Sequence, residues 1–185
     1  MRPNADVTFV TLPDYLPERP DILFVGINPG SYSARQGHYY ARGTNRFWWA
    51  LHASGVVPLR LSPQEDWRVV EFRLGLTDLV KRPTNSAADV GWDEFAAGRR
   101  ELAVKVQRVQ PLIVCFNGLT GYRHFFQEHT QPGRQTRRVH GARVFVLPST
   151  SARNAAYPRE AMLAYFQGLR AWRDALHRNG GWEEG

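Results

Sequence analysis

"DILFVGINPG", Asp21 to Gly30, reads as a β-strand that runs straight into a tight turn. Four consecutive apolar residues, Ile22 to Val25, are closed by glycine, asparagine and proline. Such a run lacks the in–out alternation of a strand wetted on one face and fits a parallel strand buried on both. Gly26 and Gly30 flank the turn and would let a ligand approach its backbone closely. No Lys-Ser or Lys-Thr follows, as a P-loop requires, and no further glycine pair completes a dinucleotide fingerprint. The Asn28 carboxamide is no general base at neutral pH, yet it can orient a water or donate to a developing negative charge. Asn-Pro also initiates plain turns, so on these residues alone both uses stay open.

Three further apolar runs have the same character: "LGLTDLV" (74–80), "PLIVCFNG" (111–118) and "ARVFVLPS" (142–149). Helical patterns lie between them. "TNRFWWALHASG" (44–55) and "SPQEDWRVVEFRLG" (62–75) open on a capping Thr or Ser and close near Gly. "WDEFAAGRRELAVKVQRVQ" (92–110) has apolar spacing near the helical period, interrupted by Gly98. "LTGYRHFFQEH" (119–129) and "YPREAMLAYFQGLRAWRDALHRN" (157–179) complete the set. Strands alternating with helices predict an α/β three-layer sandwich: a central, mostly parallel four-stranded sheet with helices on both faces. Ligands in such sheets bind beyond the C-terminal strand ends. "GINPGS", "TDLVKRPTNS", "FNGLTG" and "PSTSARN" should therefore converge on one cleft.

The chain has 185 residues, 43% hydrophobic and 22% charged, without repeat, low-complexity tract or dividing linker. A single soluble globular domain over 1–185 is expected. No apolar run reaches the ~18 residues that would span a bilayer, and the N-terminus lacks the apolar core of a secretory signal. The lone cysteine, Cys115, excludes an intrachain disulfide and a cysteine-ligated iron–sulfur cluster. A reducing cytoplasm is the expected compartment. Lys plus Arg number 24 against 17 acidic residues, a net charge of +7 carried mostly by arginine, which suits phosphate contacts as well as a basic solvated surface.

"YSARQGHYYARGTNRFWW" (32–49) is dense in aromatics. Tyr39 and Tyr40 lie outside any helical pattern, so at least one ring is expected outside the core, as a stacking platform for a flat ligand. Phe47, Trp48 and Trp49 fit the core, and His38 is set aside as an isolated loop histidine. In "PSTSARN" (148–154), Ser149, Thr150 and Ser151 are suited to phosphate oxygens, and Arg153 to a phosphate or a base stack. No G-x-S-x-G elbow supports a serine hydrolase, and no ligand spacing supports a metal.

With these segments assembled, the chain resembles the mismatch-specific uracil/thymine-DNA glycosylases. "GINPG", "NRFWWAL", "LGLTDLVKRPT", "FNGLTGY" and "LPSTSAR" carry the resemblance in order, from about Leu12 to Pro158. It implies the uracil-DNA glycosylase fold, no cofactor and no metal. It further implies that a mispaired base is flipped from duplex DNA and its N-glycosidic bond hydrolysed, leaving an abasic site. Asn28 would position the attacking water. Gly26, Ile27, Pro29, Gly30, Ser33, Tyr40 and Asn117 would form the base pocket, with Tyr40 stacking on the pyrimidine. Ser149, Thr150, Ser151, Ala152 and Arg153 would hold the DNA, with Arg153 as the wedge. The implied partner is double-stranded DNA with a G·U or G·T mispair, with single strands as a second candidate, bound by a monomer. The wedge loop and "FNG" are similar to the eukaryotic thymine-removing branch, whereas the compact length and "KRPT" are similar to bacterial enzymes. Uracil, thymine and modified cytosine all stay open as substrates.

The "GINPG" turn has no carboxylate. Asp93, in "GWDEF", is a candidate base acting from the rim, although a first-turn acid is also favoured by the helix dipole alone. Asp78 has the simpler expectation of pairing with a nearby Lys or Arg. Two alternatives accompany the enzyme: a non-catalytic module that binds unusual bases, and a small-molecule hydrolase using the serine-rich loop.

Overall fold

The computed structural model describes residues 10–182, so most of the N-terminal stretch discussed above lies outside them. One five-stranded sheet organises the chain, in the order β2-β1-β3-β5-β4. Four strands are parallel and match the four apolar runs: β1 Ile22–Gly26, β2 Leu74–Asp78, β3 Ile113–Asn117 and β5 Ala142–Leu147. The four-stranded expectation falls one short. The added strand, β4 Gly133–Val139, pairs antiparallel with β5 through a two-residue turn at His140 and Gly141. Both turn residues have positive φ, 46° and 83°, which is the twist a tight hairpin needs. Its sequence, "GRQTRRV", has no apolar run because β4 is an edge strand, and arginines on an edge discourage pairing with other chains.

The helices are α1 Ser31–Gln36, α2 Phe47–Ala53, α3 Trp92–Val109, α4 Leu119–Phe126 and α5 Arg159–Arg178. Residues Pro63–Phe72 form a 3-10 stretch, kinked at Glu65, where an ordinary helix was expected. Strand alternation sorts the core into two layers. Ile22, Phe24, Leu74 and Leu76 face α2 and α5, where Met162, Phe166 and Leu169 repeat at helical spacing. Leu23, Val25, Val114 and Phe116 face α3 and α4, meeting Leu102, Val106 and Tyr122. A five-residue strand buried throughout, such as β1, is worth roughly 2 kcal/mol per large side chain removed from water. Gly98 has a specific use: a Cβ there would collide with the Leu79 carbonyl, so its absence lets α3 close onto the loop leaving β2. No described helix is long and apolar enough to cross a membrane.

Candidate active site

At the C-terminal edge of the sheet opens one cleft of about 750 Å³. Its walls come from the Asn28 turn, the loop after β2, the start of α4 and residues 149–154. The four segments expected to converge do so, with more than a hundred residues between the first and the last.

The Asn28 wall is built by backbone pairing. Leu79 and Val80 donate to the carbonyls of Gly26 and Ile27, Thr84 donates to Pro29, and Ser31 donates to Thr84. The turn therefore continues the β1–β2 ladder beyond the sheet. Its own Asn28 and Gly30 N–H groups have no acceptor among the described residues and remain available to a ligand. Gly26 faces Asp78 in the register, and a Cβ on it would run into the Asp78 carboxyl.

This wall also fixes the Asn28 amide. Its Nδ2 donates to the Arg82 carbonyl and to Thr84 Oγ1, each at 2.8 Å. The Thr84 hydroxyl spends its proton on the Ser86 carbonyl, so towards Asn28 it can only accept. Both partners thus demand the NH2 group, and Oδ1 is left as the free acceptor of a residue that lines the cleft. Arg82 is itself held: its guanidinium grips Glu94 at 2.6 and 2.8 Å. That pairing holds the Glu94 carboxyl down at about 2, with the Gly91 N–H helping. Glu94 caps α3 in the way its sequence suggests, through Gly91 N–H at 2.8 Å.

Tyr40 forms the neighbouring wall, in a left-handed conformation with φ of 51°. Its ring stacks on Phe47 with centroids 4.1 Å apart. Three groups clamp the turn that presents it. Ser33 Oγ accepts from Ala41 N–H at 3.1 Å, and Trp48 Nε1 donates to the Tyr39 carbonyl at 3.0 Å. The buried Asp66 accepts from Tyr39 N–H at 2.9 Å and Tyr15 O–H at 3.0 Å, with His38 Nδ1 at 3.3 Å. His38 thus has a structural partner rather than a place in the cleft. Tyr39 is buried, while Tyr40 is only half-buried and lines the cleft.

The opposite wall, residues 148–154, hangs on side chains. Asn117 and Thr150 bond reciprocally: Asn117 Nδ2 donates to Thr150 Oγ1 at 2.9 Å, and Thr150 N–H donates to Asn117 Oδ1 at 3.1 Å. Thr150 is consequently buried, leaving Ser149 and Ser151 half-exposed. Arg46, a residue that sequence reasoning missed, threads the loop. It donates to the carbonyls of Tyr157, Asn154 and Ser151 at 2.6, 3.0 and 3.2 Å. Its backbone N–H adds the Thr150 carbonyl at 3.0 Å. Arg153 is exposed at the tip and reaches over the mouth to the Asn85 carbonyl at 3.2 Å. Arg42 lies 4.8 Å over the Tyr32 ring, a second cation at the same mouth.

Gly26, Ile27, Asn28, Pro29, Gly30, Ser33, Tyr40, Asn117 and residues 149–153 all line this cleft. Asp93 does not. It is exposed at the second position of α3, beside Glu94, and belongs to no ion pair among the described residues. Asp78, by contrast, is a buried part of the cleft lining, and burial pushes its carboxyl up to about 6. Lys81 stands 3.8 Å away, so the expected pairing is present but loose. Asp66 carried no sequence signal, and Arg46 was visible only as part of "NRFWWAL", because each acts on loops far away in the chain. Thr84 was visible only as part of "KRPT".

This geometry can hold a flat ligand against Tyr40, a water on Asn28 and a polyanion along the basic mouth. A solution NMR structure of a candidate uracil DNA glycosylase from Methanosarcina acetivorans has the same fold, with a TM-score of 0.58 and 23% sequence identity. The match covers 86% of this chain and 97% of that one. Residues 13–173 match the uracil DNA glycosylase superfamily, and the chain belongs to that superfamily, whose members are DNA glycosylases.

Proposed function

We propose that the chain is a monofunctional glycosylase that removes uracil mispaired with guanine from duplex DNA, acting as a monomer. Thymine and modified cytosine opposite guanine are its further candidate substrates. The observation that carries this reading is the fixed Asn28 amide, with both N–H bonds committed and Oδ1 left to accept, on a residue that lines a cleft with an aromatic wall.

In the reaction, the C1′–N1 bond breaks heterolytically and its electron pair leaves with the base. Free N–H groups of the turn are suited to the anion that forms there, and a preorganised donor of this kind is commonly worth ~3 kcal/mol. DNA phosphates beside the sugar stabilise the cationic sugar. Water held by Asn28 Oδ1 adds to C1′ and gives up a proton, and the base is protonated on release. Asn28 itself takes no proton, so the rate should be modest. Asp93, outside the cleft lining but exposed and in no ion pair among the described residues, is proposed as the rim group that receives the proton through intervening water.

The test is a duplex with a single G·U pair, incubated with enzyme and then cut with alkali at abasic sites. Asn28→Ala should lower cleavage by about 10²–10³-fold while binding persists. Binding without cleavage by the wild-type chain would favour the non-catalytic module instead. Asp93→Asn should slow turnover by about tenfold with unchanged affinity; unchanged turnover removes Asp93 from the mechanism.

A further inference from the structure

Outside the cleft, an exposed aromatic cluster sits where α3 begins and α4 passes it. Trp92 is 63% exposed, and its ring meets the His124 ring edge-on with centroids 6.2 Å apart. His124 in turn lies flat on the buried Phe95 at 3.6 Å, so the outer ring rests on a packed support. The Arg99 guanidinium stands 5.8 Å from the Trp92 centroid, about two helical turns further along α3. Arg123 adjoins His124 on α4 and is exposed. Burial lowers the His124 imidazole, and Arg123 and Arg99 push the same way, so both guanidiniums bear on this cluster. Neither of them forms an ion pair among the described residues.

An exposed tryptophan by itself means little, since single apolar residues are common on protein surfaces. Position and charge give this one a direction. Trp92 follows Ala87 of the cleft lining in the chain at a reach of at most ~18 Å, and His124 lies about 6 Å along α4 from Thr120 of the same lining. The cluster therefore lies just outside the mouth, on the side built by the loop after β2 and by α4. Asp93 and Glu94 come next in the chain, but adjacent helical positions do not share a face, and Glu94 is spent on Arg82. Two cations without anionic partners beside a bare indole suit a phosphate backbone and the face of a base, the combination that single-strand sites use. A base inside a duplex has both faces covered by its neighbours and offers nothing to such a ring. The cluster fits a strand whose bases are unpaired.

Resting on the glycosylase reading above, we propose that Trp92, Arg99 and Arg123 form a binding site for single-stranded DNA, on which an unpaired base of the strand leaving the cleft stacks. Trp92 supplies the stacking face, and the guanidiniums hold phosphates of the same strand. The single strand then gains a contact that a duplex, closed over the same mouth, does not make. The protein accordingly takes single-stranded DNA as a second class of substrate. The Trp92 contact lies away from the reacting bond, so it adds to affinity and leaves the bond-breaking step unchanged.

The experiment measures binding to a strand carrying one 2′-fluoro-deoxyuridine, which is not hydrolysed, first alone and then annealed with guanine opposite the fluorinated residue. Trp92→Ala should weaken single-strand binding by about 10–100-fold and duplex binding by less than about twofold. Trp92→Phe should recover most of the loss, because a smaller ring still offers a face. Arg99→Gln should reduce the slope of log affinity against log salt for the single strand by about 0.7. Trp67→Ala, which removes another exposed indole outside the cluster, should change neither affinity. With a cleavable uracil strand, Trp92→Ala should raise the enzyme concentration needed for half-maximal rate and leave the single-turnover rate at saturation unchanged. Wild-type protein that cleaves uracil from neither form of DNA ends the glycosylase reading, while the binding comparison still decides this site. Single-strand affinity unchanged in Trp92→Ala, equal losses on both forms of DNA, or a loss matched by Trp67→Ala overturns the proposal. An unchanged salt slope in Arg99→Gln, or a wild-type chain that binds no single strand, overturns it as well.

Discussion

The two walls of the cleft are held by different physics. The Asn28 wall is an extension of the sheet, in which successive backbone groups of residues 26–31 are matched to residues 79–84. The wall at 148–154 has no such ladder and depends on Arg46 and Asn117 reaching into it. A wall tied by backbone pairing tolerates the loss of any one side chain, whereas a wall tied by a few side chains, with one guanidinium serving several carbonyls, does not. The division suits the proposed chemistry. The water and the leaving base need a fixed frame, and the segment that meets the DNA can be a shaped loop with an exposed arginine.

That contrast breaks first at Arg46. Arg46→Ala leaves several loop carbonyls without donors and should cost about 2–4 kcal/mol of stability. Base release should drop by about 100-fold, because the wedge loop no longer holds its shape. Proteolysis or hydrogen exchange should show the damage confined to 148–157, with the Asn28 turn protected. Arg46→Lys should rescue little, since an ammonium cannot serve carbonyls along a planar fork. Equal loosening of both walls would show that the contrast is wrong.

Thr84→Val probes the other wall. It removes one of the two acceptors that fix the Asn28 amide but spares the backbone ladder. Activity should fall by about tenfold, with a stability change of no more than about 1 kcal/mol. A large loss of stability would mean that the wall rests on this hydroxyl after all. The smallest effect is expected at the loop tip. Arg153→Ala should weaken duplex binding several-fold, and if the guanidinium meets a phosphate it should reduce the slope of log affinity against log salt by about one.

The parallel sheet was legible because its strands are buried on both faces and so write continuous apolar runs, as "ILFV" and "LIVCF" do. β4 was not, since an edge strand rich in arginine has the composition of a loop. The six residues of α1 are too short for a helical period to register. In the cleft, Asn28, Tyr40 and Arg153 stood out because each follows a strand or lies in a segment that no regular element claims. Arg46, Asp66 and Thr84 did not, because their work is to hold a loop from elsewhere in the chain, and only the fold reveals those pairings. Asp78 illustrates an intermediate case. Its position at a strand end was evident, but its isolation from a strong cationic partner depends on Asp14 drawing Lys81 and Lys105 away.

In the function proposed here, one cleft, with Asn28 on one side and Arg153 on the other, receives a base extruded from DNA. The most direct measurement is a crystal structure of the Asn28→Ala protein bound to a duplex with one G·U pair. The predicted result has the uracil in the cleft against Tyr40, and Arg153 at the gap in the stack. A duplex bound elsewhere on the surface, or bound at the mouth with the uracil still stacked and paired, would contradict it.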